Sequence, residues 1–316
     1  MPPTGAFIPW SGQEACFNSS GRVLPCLGSG QDGELRSGVV WPEPRFTEAG
    51  PGVARDGLTG LQWPVDASAA LWPMTWDEAA AWVEGANNRA FLEHDDWRLP
   101  SRRELLYLTC PARARPALPD AHPFLNVFQH WHWTATPFAA PGASGDSAWR
   151  VHLEGGRMFP GPQSAAHMVL PVRGVSAILP ETPELAAASR TLWPSPRFET
   201  SDGQALDRLT GLVWLSQPLP DQGAATWQEA LDAARRLGAP WRLPSIYELE
   251  SLVDASQAWP ALSGGHPFPG DLDGVWSATS SGFDAAWAWV LYFGKGAVGV
   301  GHKPGRHFNF LLTRTT

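Results

Sequence analysis

A chain of 316 residues has room for two cores at the usual ~100–200 residues per domain, and its net charge of −8 is spread along it without a block of either sign. That spread excludes the basic footprint of a nucleic-acid binder and gives no charged interaction tail, and no run approaches the ~20 apolar residues of a membrane span. Tryptophan is over-used, 18 residues against 3 tyrosines, and 31 prolines with 32 glycines call for loop-rich domains built of short elements.

Residues 1–40 are rich in Gly, Ser and Pro and read as an irregular N-terminal arm. Residues 1–10 lack the charged start and apolar stretch of a signal peptide. Cys16 and Cys26 bracket the turn-rich Asn18-Ser19-Ser20-Gly21. A disulfide between them is the expectation and would require an oxidising compartment; spacing alone also allows two free thiols in a cytosolic chain. Cys110 is left without a partner.

From residue 41 onward, blocks recur. Trp41-Pro-Glu-Pro-Arg45-Phe46 returns as Trp193-Pro-Ser-Pro-Arg197-Phe198, and Leu58-Thr-Gly-Leu-Gln-Trp63 as Leu209-Thr-Gly-Leu-Val-Trp214. Thr75-Trp-Asp-Glu-Ala79 returns as Thr226-Trp-Gln-Glu-Ala230, and Trp97-Arg-Leu-Pro-Ser-Arg-Arg-Glu104-Leu105 as Trp241-Arg-Leu-Pro-Ser-Ile-Tyr-Glu248-Leu249. His122-Pro-Phe124, Trp133-Thr-Ala-Thr136 and Ala148-Trp149 match His266-Pro-Phe268, Trp276-Ser-Ala-Thr279 and Ala288-Trp289. The offset shrinks stepwise from 152 to 140, so insertions fall between matched blocks, as surface loops do. This is a tandem duplication: a first domain over 41–178, a linker over 179–189 and a second domain over 190–316. Tryptophans that recur at matched positions read as core.

Within each copy the order of elements is legible. A turn at Asp56-Gly57 leads into a short strand over Leu58–Trp63. Thr75 with Glu78, and Thr226 with Glu229, are capping boxes that open a first helix. The helix faces run Ala79, Trp82, Val83, Ala86 and Ala230, Leu231, Ala234, Leu237, with Gly85 and Gly238 placed to end them. Trp97 and Leu99 alternate with Arg98 in a half-buried strand stopped by Pro100. Ser101 with Glu104, and Ser245 with Glu248, open a second helix. Late strands follow at His130–Thr136, Ala148–Leu153 and Met168–Val172, and at Val275–Thr279, Ala286–Phe293 and Phe308–Leu312. The pattern predicts α+β domains, each with two helices packed on a twisted antiparallel sheet.

The ordered set Arg-Phe, Leu-Thr-Gly-Leu-x-Trp, Thr-Trp-x-Glu-Ala, Trp-Arg-Leu-Pro-x-x-x-Glu-Leu and Trp-Ser-Ala-Thr resembles the C-terminal domain family of the Legionella collagen-like adhesin, in two tandem copies. Cys16 to Phe46 looks like the leader that often precedes such domains in exported bacterial proteins. The resemblance implies a C-type-lectin-like fold related to the formylglycine-generating-enzyme group, an exported, periplasmic or surface location, and binding rather than catalysis. The adhesin's ligands are glycans and sulfated polysaccharides; this chain is acidic, so that ligand is not carried over. The acidic residue before the Trp-Arg-Leu-Pro motif is kept at Asp96 and is Pro240 in the second copy.

Formylglycine-generating enzymes need two late cysteines. The second copy has none and the first has Cys110 early, so Cys110 with His122 is a weak nucleophile–base pair and no enzyme is expected. His130 and His132 alternate in a strand, and His152 and His167 could join them, but the second copy has Gly274 and Val275 there and no metal site is expected. No cofactor is expected either. The one calcium reading left open is structural, on loop carboxylates such as Asp271 and Asp273. The Arg98…Glu104 and Arg242…Glu248 pairs read as structural, the glutamates as caps and the arginines as bridges from helix to sheet.

Alternation in the late strands turns Trp149, Val151 and Leu153 inward and Arg150, His152 and Glu154 outward; in the second copy Trp289, Leu291 and Phe293 face in and Val290 and Tyr292 out. Outward and loop positions where the copies differ are the candidate ligand-binding set: Trp131, His132, Arg150, His152, Trp287, Tyr292, His302, Arg306 and His307, with Lys303 beside them. Divergence on a repeated scaffold is where specificity is expected. The functional expectation is a non-catalytic exported protein that recognises a glycan or protein. The alternative is an assembly subunit of a surface appendage that associates with itself, and the distant third a formylglycine-generating-type oxidoreductase.

Overall fold

The computed structural model describes residues 7–139, 146–188, 192–216, 223–269 and 272–316. Among them the architecture is mixed α/β, mostly sheet with a few short helices, and it divides into two units. One comprises Val40–Phe138 and Gly142–Ile178; the other joins Ile8–Val39 to Leu179–Thr316. The arm therefore belongs with the second repeat.

In the arm, β1 (Cys16–Phe17) and β2 (Val23–Leu24) form a hairpin, clipped by a Cys16–Cys26 disulfide with Cα atoms 5.2 Å apart. A single turn, α1 (Asp32–Leu35), follows. Gln13 fixes the arm by donating from Nε2 to the Ser280 carbonyl at 2.9 Å and accepting the Ser280 N–H at 2.8 Å. The Thr279 hydroxyl donates to Asp32 at 2.6 Å.

The first repeat opens with an antiparallel sheet of β3 (Phe46–Gly50), β4 (Val53–Asp56) and β5 (Gln62–Pro64). The strand expected from Leu58 starts only at Gln62. The Asp56 carboxylate accepts the Leu58 N–H and the Thr59 hydroxyl at 2.9 and 3.0 Å, which holds Asp56–Leu61 as a turn. Helix α2 (Trp76–Asn88) carries the Thr75/Glu78 capping box and α3 (Arg102–Leu108) the Ser101/Glu104 box. Gly85 lies inside α2 rather than ending it. A second antiparallel sheet consists of β6 (Trp131–Pro137), β7 (Ser147–His152) and β8 (Met158–Pro162). Strand β8 was not legible in the sequence, whereas Met168–Val172, expected as a strand, makes only single bridges, to His132 and to Arg98.

A short helix, α4 (Pro183–Ala188), lies in the stretch expected as linker. The second repeat follows with β9 (Phe198–Ser201), β10 (Gln204–Asp207) and β11 (Leu212–Leu215). Its helices are α5 (Trp227–Leu237), which Gly238 ends at φ +83°, and α6 (Ile246–Glu250), both with the expected capping boxes. Strands β12 (Gly274–Ser280), β13 (Trp287–Tyr292) and β14 (Ala297–His302) pair antiparallel. Strand β15 (Asn309–Phe310) adds parallel to β12, and β16 (Thr313–Thr315) returns to β11.

In the first repeat, β6–β7 pairing sets Trp133 opposite Arg150 and His132 opposite Val151. Trp131, Trp133, Arg150 and His152 thus share one face, and His132 and Val151 the other. Helix α2 covers the first face, Ala79 and Val83 packing with Trp133 and Ala148. Helix α3 covers the second, with the Arg102 guanidinium 4.2 Å from the centre of the Trp149 ring. In the second repeat α5 packs on Trp276, Ala288 and Val290, and α6 also lies against β12 and β13. A helix on each face buries both, which corrects the expected in-and-out alternation: Val290 and His152 are 0% and 6% exposed. Trp63, Trp133, Trp149, Trp214, Trp276 and Trp289 are fully buried, as their recurrence predicted.

Candidate functional site

Hydrogen bonds define which residues of the two repeats correspond. Trp133 donates from Nε1 to the Met74 carbonyl and Trp276 to that of Ala225, each at 2.9 Å. The Met74 N–H reaches the His167 carbonyl at 2.8 Å, as the Ala225 N–H reaches that of Phe308 at 2.9 Å. Ala148 pairs with Gly161 as Ala288 pairs with Gly301. His167 therefore stands where the second repeat has Phe308, Arg150 where it has Val290, His152 where it has Tyr292, and Trp131 where it has Gly274.

That place is filled with two chemistries. In the second repeat Phe308 meets Trp276 and Tyr292 edge-on, ring centres 4.9 and 5.7 Å apart. Gly274 and Gly301 leave no room for a Cβ against the Phe308 ring. In the first repeat the guanidinium of Arg150 lies against Gly161, where a Cβ would collide with it. It also stands 4.5 Å from the centre of the Trp131 ring, with Nη1 2.5 Å from His167 Nε2. Guanidinium has no acceptor, so His167 accepts at Nε2 and carries its proton on Nδ1. His152 lies 4.7 Å from Trp131 and 5.1 Å from His130, and His130 lies 6.5 Å from His167.

The cluster holds a cation without a counter-ion. Among the described residues no carboxylate makes an ion pair with Arg150, and its buried Nε and His167 Nδ1 have no hydrogen-bond partner. Glu154, the nearby acid, faces Arg115 at 3.6 Å. Burial, then the charges of Arg157 and His130, push His152 down to about 4; burial, then Arg150 and His130, push His167 down to about 4. At neutral pH the imidazoles of His152 and His167 are neutral beside one guanidinium and an indole, and the outer ring, His130, is exposed. Such a surface can stack on a ligand and donate hydrogen bonds to it.

Of the residues expected to bind ligand, Trp131, Arg150 and His152 come together here. Trp131 and Arg150 are half-buried, and His152 is buried beneath Trp131 rather than outward. His132 is corrected: it is fully buried on the opposite face, with burial first among the causes that push it down to about 4. The second-repeat candidates do not form one site. Trp287 and His302 pair at one end of β13, ring centres 5.3 Å apart. Tyr292 is at the other end, packed on Phe308. His307 is exposed, and exposed Arg306 is ion-paired with Glu229. Lys303 is corrected from loop surface to full burial. Asp273 is exposed; Asp271 lies outside the described residues. Among the described residues no group of three His, Cys, Asp or Glu side chains is placed to hold a metal ion.

Two features were missed. Gly161 completes the first-repeat cluster with His167, which the sequence placed only beside the metal reading; the signal was available in the alignment of the copies, where Gly161 meets Gly301 and His167 meets Phe308. A surface cleft of about 620 Å³ in the second unit, lined by Pro183, Trp193, Arg197, Asp254, Gln257 and Ser263 among others, had no sequence signature.

Residues 52–173 and 203–314 each match the family model described as the Lcl C-terminal domain. No curated protein matches the chain.

Proposed function

The chain belongs to the Lcl C-terminal domain family, in two tandem copies, and we propose that it is an exported, non-catalytic surface protein of adhesin type that recognises a glycan or a protein. On this reading each repeat is a C-type-lectin-like domain, and the first-repeat cluster around Trp131 and Arg150 is the binding site. One observation carries it: a place that the second repeat fills with Phe308 is filled in the first by His167 and by an Arg with no counter-ion among the described residues. A partly buried, uncompensated cation costs stability, and a ligand that completes its hydrogen bonds offsets that cost.

Other features support the same reading. Cys110 is buried, and burial pushes its thiol up to about 11, so little thiolate exists at neutral pH. The Cys16–Cys26 disulfide is in keeping with export, and among the described residues no helix is long and apolar enough to cross a membrane. No cofactor or calcium enters the proposal.

The test is a screen of the full chain against arrayed glycans and peptides, repeated with the Trp131→Gly/His167→Phe double variant, which installs the second repeat's residues. Binding that vanishes in this variant and persists in Trp287→Ala supports the reading. Binding indifferent to the cluster, or turnover of a cysteine peptide lost in Cys110→Ser, would overturn it. An assembly subunit is the second reading, favoured by the exposed Leu71, Trp72 and Leu125; association that rises with concentration and needs no ligand would select it.

A further inference from the structure

We infer that the ligand of the first-repeat cluster is a protein segment presenting a carboxylate next to an apolar side chain, the carboxylate taken by Arg150 and the apolar group by a rim of exposed hydrophobic residues. This rests on the binding reading above and names the chemistry of the same site.

Arg150 has its Nη1 on a neutral imidazole and its plane against Trp131 and Gly161. Its Nε has no partner, and no described carboxylate is within ion-pair distance. Arg157, exposed near His152, adds a second positive charge, while the one nearby acid, Glu154, is engaged by Arg115. The planar guanidinium fork matches a carboxylate, and a charge-assisted bond is about twice as strong as a neutral one.

Two loops of the first unit are tied together: Ala67 N–H to the Leu125 carbonyl at 3.0 Å, the Ser68 hydroxyl to that of Asn126 at 2.6 Å, and Asn126 Nδ2 to Asp66 at 3.1 Å. They leave Leu71, Trp72, Leu125 and Phe128 exposed, at 68%, 67%, 61% and 42%. Phe128 lies 5.9 Å from the His130 ring, and Trp72 precedes by two residues Met74, whose backbone pairs with His167. Phe128 and Arg150 thus flank the same imidazoles, and the loop carrying Trp72 leads into the backbone partner of His167. Scattered exposed hydrophobes need no explanation, but four on two linked loops that run into His130 and Met74, next to the imidazoles around Arg150, mark an interaction surface. Aliphatic rim residues such as Leu71 and Leu125 fit an apolar side chain rather than a polyhydroxylated sugar.

The experiment titrates the full-length chain with N-acetyl-L-leucine and with its neutral amide, following the ring NMR signals of His130 and His167. Expected is a saturable shift with the acid, about tenfold or more weaker binding of the amide, loss of the response in Arg150→Met and a partial response in Arg150→Lys. If Arg150→Met does not fold, the acid–amide contrast and Arg150→Lys still decide. Equal binding of acid and amide, or a response unchanged in Arg150→Lys, overturns the inference. So does a glycan that shifts these signals while the acid does not, though that outcome leaves the binding reading standing. Silence towards the acid together with an empty glycan and peptide screen removes both.

Discussion

The Lys303 ammonium lies 3.9 Å from the centre of the Trp227 ring and 2.7 Å from the Ser280 hydroxyl, fully buried in the second unit. The Phe17 ring of the arm stands 5.6 Å away. Burial pulls the amine down to about 7, against the raising effect of Asp284. The unfolded chain, with an ordinary lysine near 10.4, binds more protons between these values, so stability rises with pH above 7, by up to about 1.4 kcal/mol per pH unit. Lys303→Met keeps the stem and drops the charge. It should raise the melting temperature at pH 7 and flatten the rise to pH 9.5, as urea titrations at both values would show. A slope equal to that of the wild type would place the charge elsewhere.

Each repeat holds a buried bidentate ion pair. Arg45 grips Asp56 at 3.0 and 2.9 Å, and Arg197 grips Asp207 at 2.9 and 2.8 Å. Arg197 also donates to the Ser251 carbonyl at 2.7 Å, and Asp207 accepts the Leu209 N–H and the Thr210 hydroxyl. Removing one partner leaves the other buried and uncompensated, which costs about 3–5 kcal/mol. Asp207→Ala should therefore destabilise the second unit by that amount in denaturant unfolding, with the Arg197→Met/Asp207→Ala double variant losing less than the single one. A double variant worse than the single would mean that Arg197 contributes mainly through its carbonyl contacts.

Capping boxes and matched tryptophans were legible in the sequence because local spacing dictates them: a Thr or Ser with Glu three residues on satisfies its own helix end. The Arg-Phe and Leu-Thr-Gly motifs were visible too, but not that Arg45 reaches Asp56 and Arg197 reaches Asp207. That pairing is made across β-strands, where spacing along the chain carries no signal. Strand β8 was hidden because Pro160 and Pro162 interrupt its pattern. The outward placement of His152 and Val290 failed for one reason, that a period of two assigns faces and does not say whether a helix covers the second. Trp131 and Arg150 were found by comparing copies, which needs no knowledge of the fold; His132 was drawn in by the same comparison although it lies on the other face.

The arm offers a redox test. It is held in the second unit by Gln13 on Ser280 and by Asp32 on Thr279, and its hairpin is closed by Cys16–Cys26. A cross-link across a loop this short contributes about 2–3 kcal/mol through the unfolded chain. Cys16→Ser/Cys26→Ser should lower the stability of the second unit by that amount and speed hydrogen exchange at Ser280, while exchange at Trp133 in the first unit stays as it was. Equal acceleration at both positions would show that the arm's effect is not local to its own unit.

Acid should act on the two units through groups of opposite sense. In the first, burial pushes His132, His152 and His167 down to about 4 when folded, against ~6.5 when unfolded, and lowers His122 as well. Between these values the unfolded chain takes up protons that the folded one refuses, so this unit loses stability as pH falls from 6.5 towards 4. In the second, burial raises Asp32 to about 6 while Ser11 and Thr279 pull it down. Here the folded state holds the extra proton between ~3.8 and 6, so this group gains stability as pH falls, opposing the loss from His266, which burial lowers. His167→Phe, which gives the first repeat the second repeat's residue, removes one of these refused protons and should cut the acid slope of the first unit by up to about a third. Asp32→Asn should remove this gain and leave the second unit less stable at pH 5 relative to pH 7 than the wild type. Hydrogen exchange at pH 7 and pH 5, read at Trp133 for one unit and Trp276 for the other, separates the two effects. A first-unit slope unchanged in His167→Phe would show that the imidazole beside Arg150 is already charged near neutrality, which its acceptor role at Nε2 forbids.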